Sequence, residues 1–274
     1  MTRAIIAFGA NLGNPAETYS RACEFLSSTN GIARVTPSPL YRTDPVGGPD
    51  AHLIYLNGAV LVESSLSPAN LYHELVDIQQ RLGRTKREHW GPRPIDLDLI
   101  WIENTILVSD ELTVPHPRMH YRWFVLQPAA DVAADAMHPI FGQPIHALLE
   151  RVLHLPRRFE LLGASDGLLE LIQQELRLRG EAATTTHCPV PPSGITFQRL
   201  GESIVGVHDS RKAKHQEDAN AWQIVFADHE PLADGNASVF PAVDARGQDD
   251  QARLDNFRFF LDSLRPGSRF TSNE

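Results

Sequence analysis

The sequence predicts an α+β sandwich in which helices lie over a mostly antiparallel sheet. Two observations favour this fold class. The periodic segments of residues 3–102 follow the order strand, helix, strand, strand, helix, strand. The strand segments are short and rich in apolar residues, whereas the helical segments repeat apolar residues at helical spacing. Such an order is typical of helices packed against an antiparallel sheet.

The first elements are a strand, a helix and a second strand. Residues 3–10, RAIIAFGA, form an apolar run that ends at a glycine-containing turn. Asn14 is a suitable N-cap and Pro15 suits the first helical position, so a helix is expected to about Ser28. Residues 32–42 resemble an edge strand, because their two prolines cannot donate to a central ladder.

The next elements bring two loops beside a third and a fourth strand. Residues 55–64 form a strand, Pro68–Leu82 a helix, and residues 95–102, IDLDLIWI, a further strand. Two loops that contain glycine and proline, 43–54 and 83–94, lie before strands and are long for simple connections. We expect both loops to close over substrates and exclude water.

The character of the chain changes after its first half. With a further helix over 144–153, the first domain is expected to span 1–158. Residues 159–194 are expected to form a helix and a proline-rich linker, and 195–274 a C-terminal extension. The extension has enough apolar residues for a small α/β unit that ends in a helix at about 249–264. Its role stays open between a degenerate second domain, a surface for self-association, a packing shield and a structural appendage.

Composition and charge limit the class of protein. The chain has 274 residues, of which 42% are hydrophobic, and a net charge of −9. This charge is uneven, at −2 over 1–158 and −7 over 159–274, which argues against a protein that binds nucleic acid through the phosphate backbone. Cys23 and Cys188 match neither a zinc spacing nor a disulfide framework. We see no signal peptide or membrane span, so a cytoplasmic protein with no membrane partner is expected.

A pair of acids interrupts the apolar strand near residue 100. Asp96 and Asp98 project from the same face, because strand side chains alternate. A carboxylate in an apolar run costs free energy unless it is neutralised, and Arg84, Lys86 and Arg93 lie just before the pair. Two oxygen ligands beside basic groups suit Mg²⁺ bridged to phosphate. The alternative is an acid pair that only forms salt bridges with arginines on a solvent-facing sheet.

Common nucleotide-binding and nucleophile motifs are missing from the sequence. It contains no P-loop, no nucleophile elbow and no dinucleotide fingerprint. Phosphate charge would therefore be met by side chains and metal. Arginine suits bidentate contacts with phosphate oxygens, whereas lysine supplies a point charge.

Five segments occur in the order and spacing of one enzyme family: FGANLGN, LYRTDPVG, YLNGAV, GRTKREHWGPRPIDLDLI and VPHPRMHYRWFVLQP. On these segments, residues 3–155 resemble the 6-hydroxymethyl-7,8-dihydropterin pyrophosphokinase family of the folate pathway. The resemblance implies a ferredoxin-like α+β sandwich. It also implies transfer of the β,γ-pyrophosphoryl group of ATP to the 6-hydroxymethyl oxygen of the pterin, with release of AMP. ATP is the implied co-substrate, the hydroxymethyl-dihydropterin the other substrate, and two Mg²⁺ ions the implied cofactor.

The resemblance also implies roles for single residues. Asp96 and Asp98 would hold the two metal ions. The implied catalytic residues are Arg84, Trp90 and Arg93, with Trp90 in the mobile loop. The implied contacts to the nucleotide phosphates are Arg84, Lys86, Arg93, His116 and Arg122. In the implied pterin pocket, Tyr55 and Phe124 sandwich the ring, Asn57 recognises its amide edge, and backbone around Thr43, Asp44 and Val46 completes the wall.

This chain departs from the family pattern at three positions near the second loop. Lys86 stands where the family often has arginine, so the charge remains while bidentate contact is lost. Gln79 stands where glutamate is common, and His89 where arginine often precedes the tryptophan. None of the three removes the acid pair, so we expect catalysis to be retained.

Two alternative functions come from different classes. The element order also fits an RNA-recognition module, which stacks bases on exposed aromatic residues of a basic sheet face; this chain has Asp96 and Asp98 there instead. A catalytically inactive pterin-binding protein would keep the pocket and lose nucleotide handling. An assay of AMP release that depends on both pterin and Mg²⁺ separates it from the enzyme.

Overall fold

The computed structural model describes residues 1–46, 53–84, 93–154, 157–162, 164–181, 183–188, 195–200, 203–209, 221–225, 237–244 and 249–271. Contacts divide the chain into two compact units. The first unit contains Met1–Val152 together with Asp262–Glu274, and the second contains Leu153–Leu261. The first unit is therefore built from two separate stretches of chain, whereas the sequence-based division placed the second of these stretches in the extension.

The elements up to residue 153 include four helices and nine strands among the described residues. In chain order they are β1 (Thr2–Ala10), α1 (Pro15–Ser28), β2 (Ile32–Pro37), β3 (Tyr41–Thr43), β4 (Tyr55–Ser64), α2 (Pro68–Arg81), β5 (Asp96–Ile102), β6 (Leu107–Val108), β7 (Thr113–Val114), α3 (Trp123–Ala133), β8 (Met137–His138), β9 (Gln143–Pro144) and α4 (Ile145–Leu153). A short 3-10 helix, Met119–Tyr121, precedes α3.

The later elements belong mainly to the second unit. They are β10 (Arg157–Leu162), α5 (Asp166–Leu178), β11 (Ala183–Cys188), β12 (Ile195–Leu200), β13 (Ser203–Asp209), β14 (Ala221–Val225), β15 (Ala237–Asp244), α6 (Asp250–Ser263) and β16 (Ser268–Arg269). β16 follows the return of the chain to the first unit.

The main sheet of the first unit has the order β16-β3-β4-β1-β5, and β2 also pairs with β4. All of these pairings are antiparallel. The expected mostly antiparallel sheet is therefore confirmed. The single strand predicted over 32–42 is in fact two strands, because the chain between its two prolines leaves the ladder: the hydroxyl of Ser38 accepts a hydrogen bond from the Ala59 N–H at 2.9 Å.

Helices α1 and α2 begin where the sequence predicts. The Asn14 side chain accepts a hydrogen bond from the Glu17 N–H at 3.3 Å, and the Ser67 hydroxyl accepts one from Asn70 at 3.2 Å. Each helix starts at a proline, which needs no hydrogen-bond partner for its nitrogen there. Their apolar faces form one buried core with the sheet: Tyr19, Ala22 and Leu26 from α1, Leu71, Leu75 and Ile78 from α2, and Phe8, Leu97 and Leu99 from the strands.

The other face of the sheet is covered by α3. This helix packs on β4 and also contacts β1 and β3. It begins at Trp123, because the chain first makes a 3-10 turn and Arg122 is extended, with φ −88° and ψ 108°. Asp96 and Asp98 project on this side, since the alternating Leu97 and Leu99 are buried against α1 and α2.

The second unit has a mixed sheet of order β11-β10-β14-β15-β13-β12. The pairings β11-β10, β10-β14 and β14-β15 are parallel, and the remaining two are antiparallel. Helix α5 buries Leu168, Ile172 and Leu176. The linker expected within 159–194 instead contains strand β11, which a run of threonines favours. In the part of the chain that the structure describes, no helix is long and apolar enough to cross a membrane.

Candidate active site

One row of residues crosses the main sheet and joins the two predicted halves of the site. Asn57 in β4 lies opposite Gly9 in β1, and Gly9 lies opposite Asp96 in β5. Directly opposed residues point to the same face, so Asn57 and Asp96 share a face at two strand spacings, about 10 Å. A Cβ atom on Gly9 would lie 3.3 Å from the Asn57 side-chain oxygen. The glycine therefore leaves open space between the predicted pterin contact and the predicted metal ligand.

Two arginines neutralise Asp96. Arg84 Nη1 donates to Asp96 Oδ1 at 2.6 Å, and Arg93 Nη1 donates to Asp96 Oδ2. Burial, followed by the nearby Asp98 carboxylate, raises the pKa of Asp96 to about 6, although both guanidinium groups oppose this shift. Asp98 is exposed. Asp96 thus has the salt bridges that the alternative without a metal predicts.

Arg84 is positioned by a buried glutamine at the end of α2. The side-chain oxygen of Gln79 accepts from Arg84 Nη1 and, at 2.9 Å, from the backbone N–H of Leu97. The Arg84 N–H also donates to the Gln79 carbonyl at 2.9 Å. Gln79 is only 5% exposed, so it fixes the arginine to both α2 and β5. The sequence identified Gln79 as a departure from the family but gave it no positioning role.

Arg93 is held by a residue that the sequence reasoning missed. The Arg93 N–H donates to the Asn11 side-chain oxygen at 2.8 Å, and the Asn11 N–H donates to the Arg93 carbonyl at 3.2 Å. Asn11 directly follows β1 and lies in the segment FGANLGN. This segment already supported the family resemblance, and it was the signal that could have identified Asn11.

His116 is near the acid strand but does not carry a charge. Its backbone N–H donates to the Ile100 carbonyl at 2.8 Å, and its ring Nδ1 accepts from the Arg118 backbone N–H at 3.1 Å. Burial, with Arg122 and Arg118 nearby, lowers the pKa of His116 to about 3. The ring is therefore neutral at pH 7, and its hydrogen is assigned to Nε2 because Nδ1 accepts. His116 was expected as a basic contact to the nucleotide phosphates, and that role stays a prediction.

Arg122 directly precedes α3 and lies within electrostatic reach of Asp96 and Asp98. Burial lowers its pKa, and the carboxylates of Asp98 and Asp96 act in the opposite direction. Its guanidinium carbon lies 5.6 Å from the centroid of the half-buried Phe124 ring. The predicted phosphate contact and the predicted pterin contact are thus adjacent side chains.

The residues predicted to bind the pterin are organised by hydrogen bonding between strands. Asn57 Nδ2 donates to Thr43 Oγ1 at 2.8 Å, and both residues are buried. Tyr55 lies opposite Thr43 in the β3-β4 ladder. The amide of Asn57 is assigned from this bond, and it leaves the side-chain oxygen facing Gly9.

A small pocket of about 30 Å³ adjoins this ladder. Four of its lining residues were predicted to bind the substrate or lie between such residues: Thr43, Asp44, Pro45 and Val46. A fifth, Phe124, was predicted as a ring contact. The rest of the wall consists of Asp262, Arg265 and Pro266, which the sequence reasoning did not connect with the site.

Several predicted residues lie outside the described residues. They are Lys86, His89 and Trp90, with 85–92 of the 83–94 loop and 47–52 of the 43–54 loop. Their roles stay predictions.

The described carboxylates are suitable ligands for Mg²⁺. Asp96 and Asp98 offer hard oxygen donors side by side, and among the described residues no cluster of three or more metal-binding side chains exists. Mg²⁺ usually binds through one or two carboxylates together with water and substrate phosphates. The donor set thus suits a metal that arrives with a phosphate-bearing substrate.

The fold and the site define the class: an α+β protein with a carboxylate pair and converging arginines, typical of metal-dependent enzymes that handle phosphates. A family model described as 7,8-dihydro-6-hydroxymethylpterin-pyrophosphokinase matches residues 5–134. The 2-amino-4-hydroxy-6-hydroxymethyldihydropteridine pyrophosphokinase of Synechocystis is 40% identical over 149 residues, which are 54% of this chain and 75% of that protein. The chain belongs to the 7,8-dihydro-6-hydroxymethylpterin-pyrophosphokinase family.

Two further relatives carry the same name. The protein of Methylorubrum extorquens is 36% identical over 152 residues, which are 56% of this chain and 94% of that protein. The protein of Bacillus subtilis is 42% identical over 130 residues, 47% of this chain and 77% of that protein. The similarity therefore covers nearly all of a relative but about half of this chain.

Proposed function

We propose that this chain transfers pyrophosphate from ATP to the hydroxymethyl group of 6-hydroxymethyl-7,8-dihydropterin, with release of AMP, in folate synthesis. Membership of the pyrophosphokinase family supports the activity. The observation that carries the proposal is the row Asn57, Gly9 and Asp96 on one face of the sheet. In this row the amide that would recognise the pterin and the carboxylate that would bind metal are separated by a glycine, which has no side chain.

On the nucleotide side, Asp96 and Asp98 would hold Mg²⁺, and the family resemblance implies two ions. The metal, when bound, supplies neutralisation of the triphosphate charge. Arg84 and Arg93 now contact Asp96, and they would move their donors to phosphate oxygens when nucleotide binds. Bidentate arginine contacts orient a phosphate as well as neutralise it, and such orientation supplies much of the rate of phosphoryl-type transfers.

His116 would contribute without a charge. Its Nε2–H would donate to a phosphate oxygen, and its backbone bond to Ile100 keeps the ring next to β5. Arg122 would add positive charge between the acid pair and the pterin pocket, because the fields of Asp96 and Asp98 both reach it.

On the pterin side, Asn57 would recognise the amide edge of the ring, and the flat faces of Tyr55 and Phe124 would stack on it. Thr43 fixes the Asn57 amide through its hydroxyl. We also propose that the first unit is ferredoxin-like. The antiparallel order β5-β1-β4-β3, with α1 and α2 on one face, supports this finer description.

The test is an assay of AMP release by the full chain, with ATP, Mg²⁺ and hydroxymethyl-dihydropterin present together. Omission of each component in turn is the control. We expect AMP only when all three are present. AMP without pterin would indicate a hydrolase, and pterin binding without AMP would indicate an inactive binding protein; either result contradicts the proposal.

A further inference from the structure

The chain after α6 returns to the edge of the main sheet beside the pterin pocket. β16 pairs antiparallel with β3, placing Ser268 opposite Arg42 and Arg269 opposite Tyr41. The Phe270 N–H donates to the Leu40 carbonyl at 2.7 Å. The partly buried ring of Phe270 packs on the core of the first unit. The segment 265–270 is therefore a docked part of this unit.

Gly267 permits an unusually close approach at this edge. A Cβ atom on Gly267 would lie 2.0 Å from the carbonyl oxygen of Arg42 and 2.7 Å from Thr43 Cγ2. Backbone cannot yield to such a contact, so only glycine fits there. The turn before β16 consequently passes directly against Thr43, whose hydroxyl accepts the hydrogen bond of Asn57.

The same turn completes the pocket. Arg265 and Pro266 line it on one side, and Val46 and Phe124 line it elsewhere. Among the described residues of the lining, Arg265 is the one cation, and its side chain is about half exposed at 51%. Its Nε lies 3.8 Å from an Asp262 carboxylate oxygen, a loose pair that leaves the guanidinium edge available to a ligand.

We infer that the turn Arg265–Gly267 is a wall of the pterin site and that Arg265 is a substrate-binding residue. A guanidinium group is planar, donates several hydrogen bonds and stacks on aromatic rings, which suits a flat heteroaromatic lactam. The inference rests on the proposed function. The turn lies beyond residues 5–134 that the family model matches.

The experiment uses the full chain with Arg265→Ala, Gly267→Val and, as a matched control, Arg34→Ala, which removes an exposed arginine on β2 of the same unit. Steady-state AMP release gives separate KM values for pterin and ATP. Equilibrium binding of hydroxymethylpterin, followed by its fluorescence with a non-hydrolysable MgATP analogue present, gives a second readout.

We expect Arg265→Ala to raise the pterin KM and Kd about tenfold, the loss of one good contact, with little change in the KM for ATP. Gly267→Val should raise the pterin KM at least as much, because β16 can no longer dock, and Arg34→Ala should match the wild type. A pterin Kd of Arg265→Ala within about twofold of wild type overturns the inference, whether or not Gly267→Val folds. Wild-type protein that releases no AMP instead overturns the proposed function.

Discussion

The Asp96 carboxylate is stabilised in the fold by ion pairs with two arginines. Its two oxygens contact Arg84 and Arg93, yet burial and Asp98 still raise its pKa to about 6. The acid pair was predictable from the sequence, because alternation in a strand places residues two apart on one face. The anchors of the two arginines, Gln79 and Asn11, were not, because they act through contacts between distant segments.

The charge of Asp96 should be essential for turnover. Asp96→Asn keeps the size of the side chain but removes a hard anionic ligand, so we expect AMP release to fall by at least about a hundredfold. Asp77→Asn, on an exposed position of α2, is the control and should retain wild-type rates. The measurement is initial AMP release across a Mg²⁺ titration. Equal activity of the two variants would remove the metal assignment.

His138 should make the fold sensitive to acid. Its Nδ1 accepts from the Phe141 N–H at 3.4 Å, its ring stacks on Phe141 at 4.2 Å, and burial, with His120 nearby, lowers its pKa to about 3. A lowered pKa means that the stabilisation is present above the unfolded value near 6.5 and is lost as pH falls toward 3. His138→Asn should therefore lose less unfolding free energy than the wild type when the pH is lowered from about 7 to about 4. Urea titrations at each pH measure the unfolding free energy. Equal losses in the two proteins would contradict the prediction.

At the scale of the elements, features set by neighbouring residues were predicted correctly, whereas strand pairings between distant segments were not predicted. The predicted starts of α1 and α2 rest on Asn14, Pro15 and Pro68, because capping and the preference for proline in the first turn are local effects. β16 has two residues and no measurable period, so only its pairing with β3 defines it. The threonine-rich β11 resembled a linker because it is a polar edge strand, which pairs with β10 alone in its sheet.

The junction of α2 and β5 depends on one amide. Gln79→Ala would leave the Leu97 N–H and a guanidinium donor without their acceptor, and we expect a loss of about 1–3 kcal/mol of unfolding free energy. It should also raise the KM for ATP, since Arg84 is no longer fixed. Gln80→Ala is the matched control, because Gln80 is exposed. Chemical denaturation and ATP kinetics measure both effects, and identical behaviour of the two variants would refute this role.

At the scale of the molecule, each compact unit has its own aromatic anchor. Phe270 packs on the core of the first unit, whereas Phe257 is fully buried in the second, with its ring 5.6 Å from that of Phe159. We expect Phe270→Ala to cost about 2 kcal/mol and to increase amide hydrogen exchange in β3 and β4.

Phe257→Ala is the reciprocal variant and should increase exchange in β10 and α5. Hydrogen exchange with mass spectrometry resolves these segments. Faster exchange in β10 and α5 in the Phe270→Ala protein, with β3 and β4 unchanged, would show that residue 270 does not support the first unit.

The interrupted first unit has a consequence for biosynthesis. Residues 262–271 leave the ribosome only after Leu153–Leu261 has been made, an interval on the order of 10 s. During that time the three-residue β3 is a bare sheet edge, and bare edges invite pairing with other chains. The nascent protein is thus exposed to misassociation during this interval, and the pocket beside Thr43 and Phe124 is completed only when the last part of the first unit has been made.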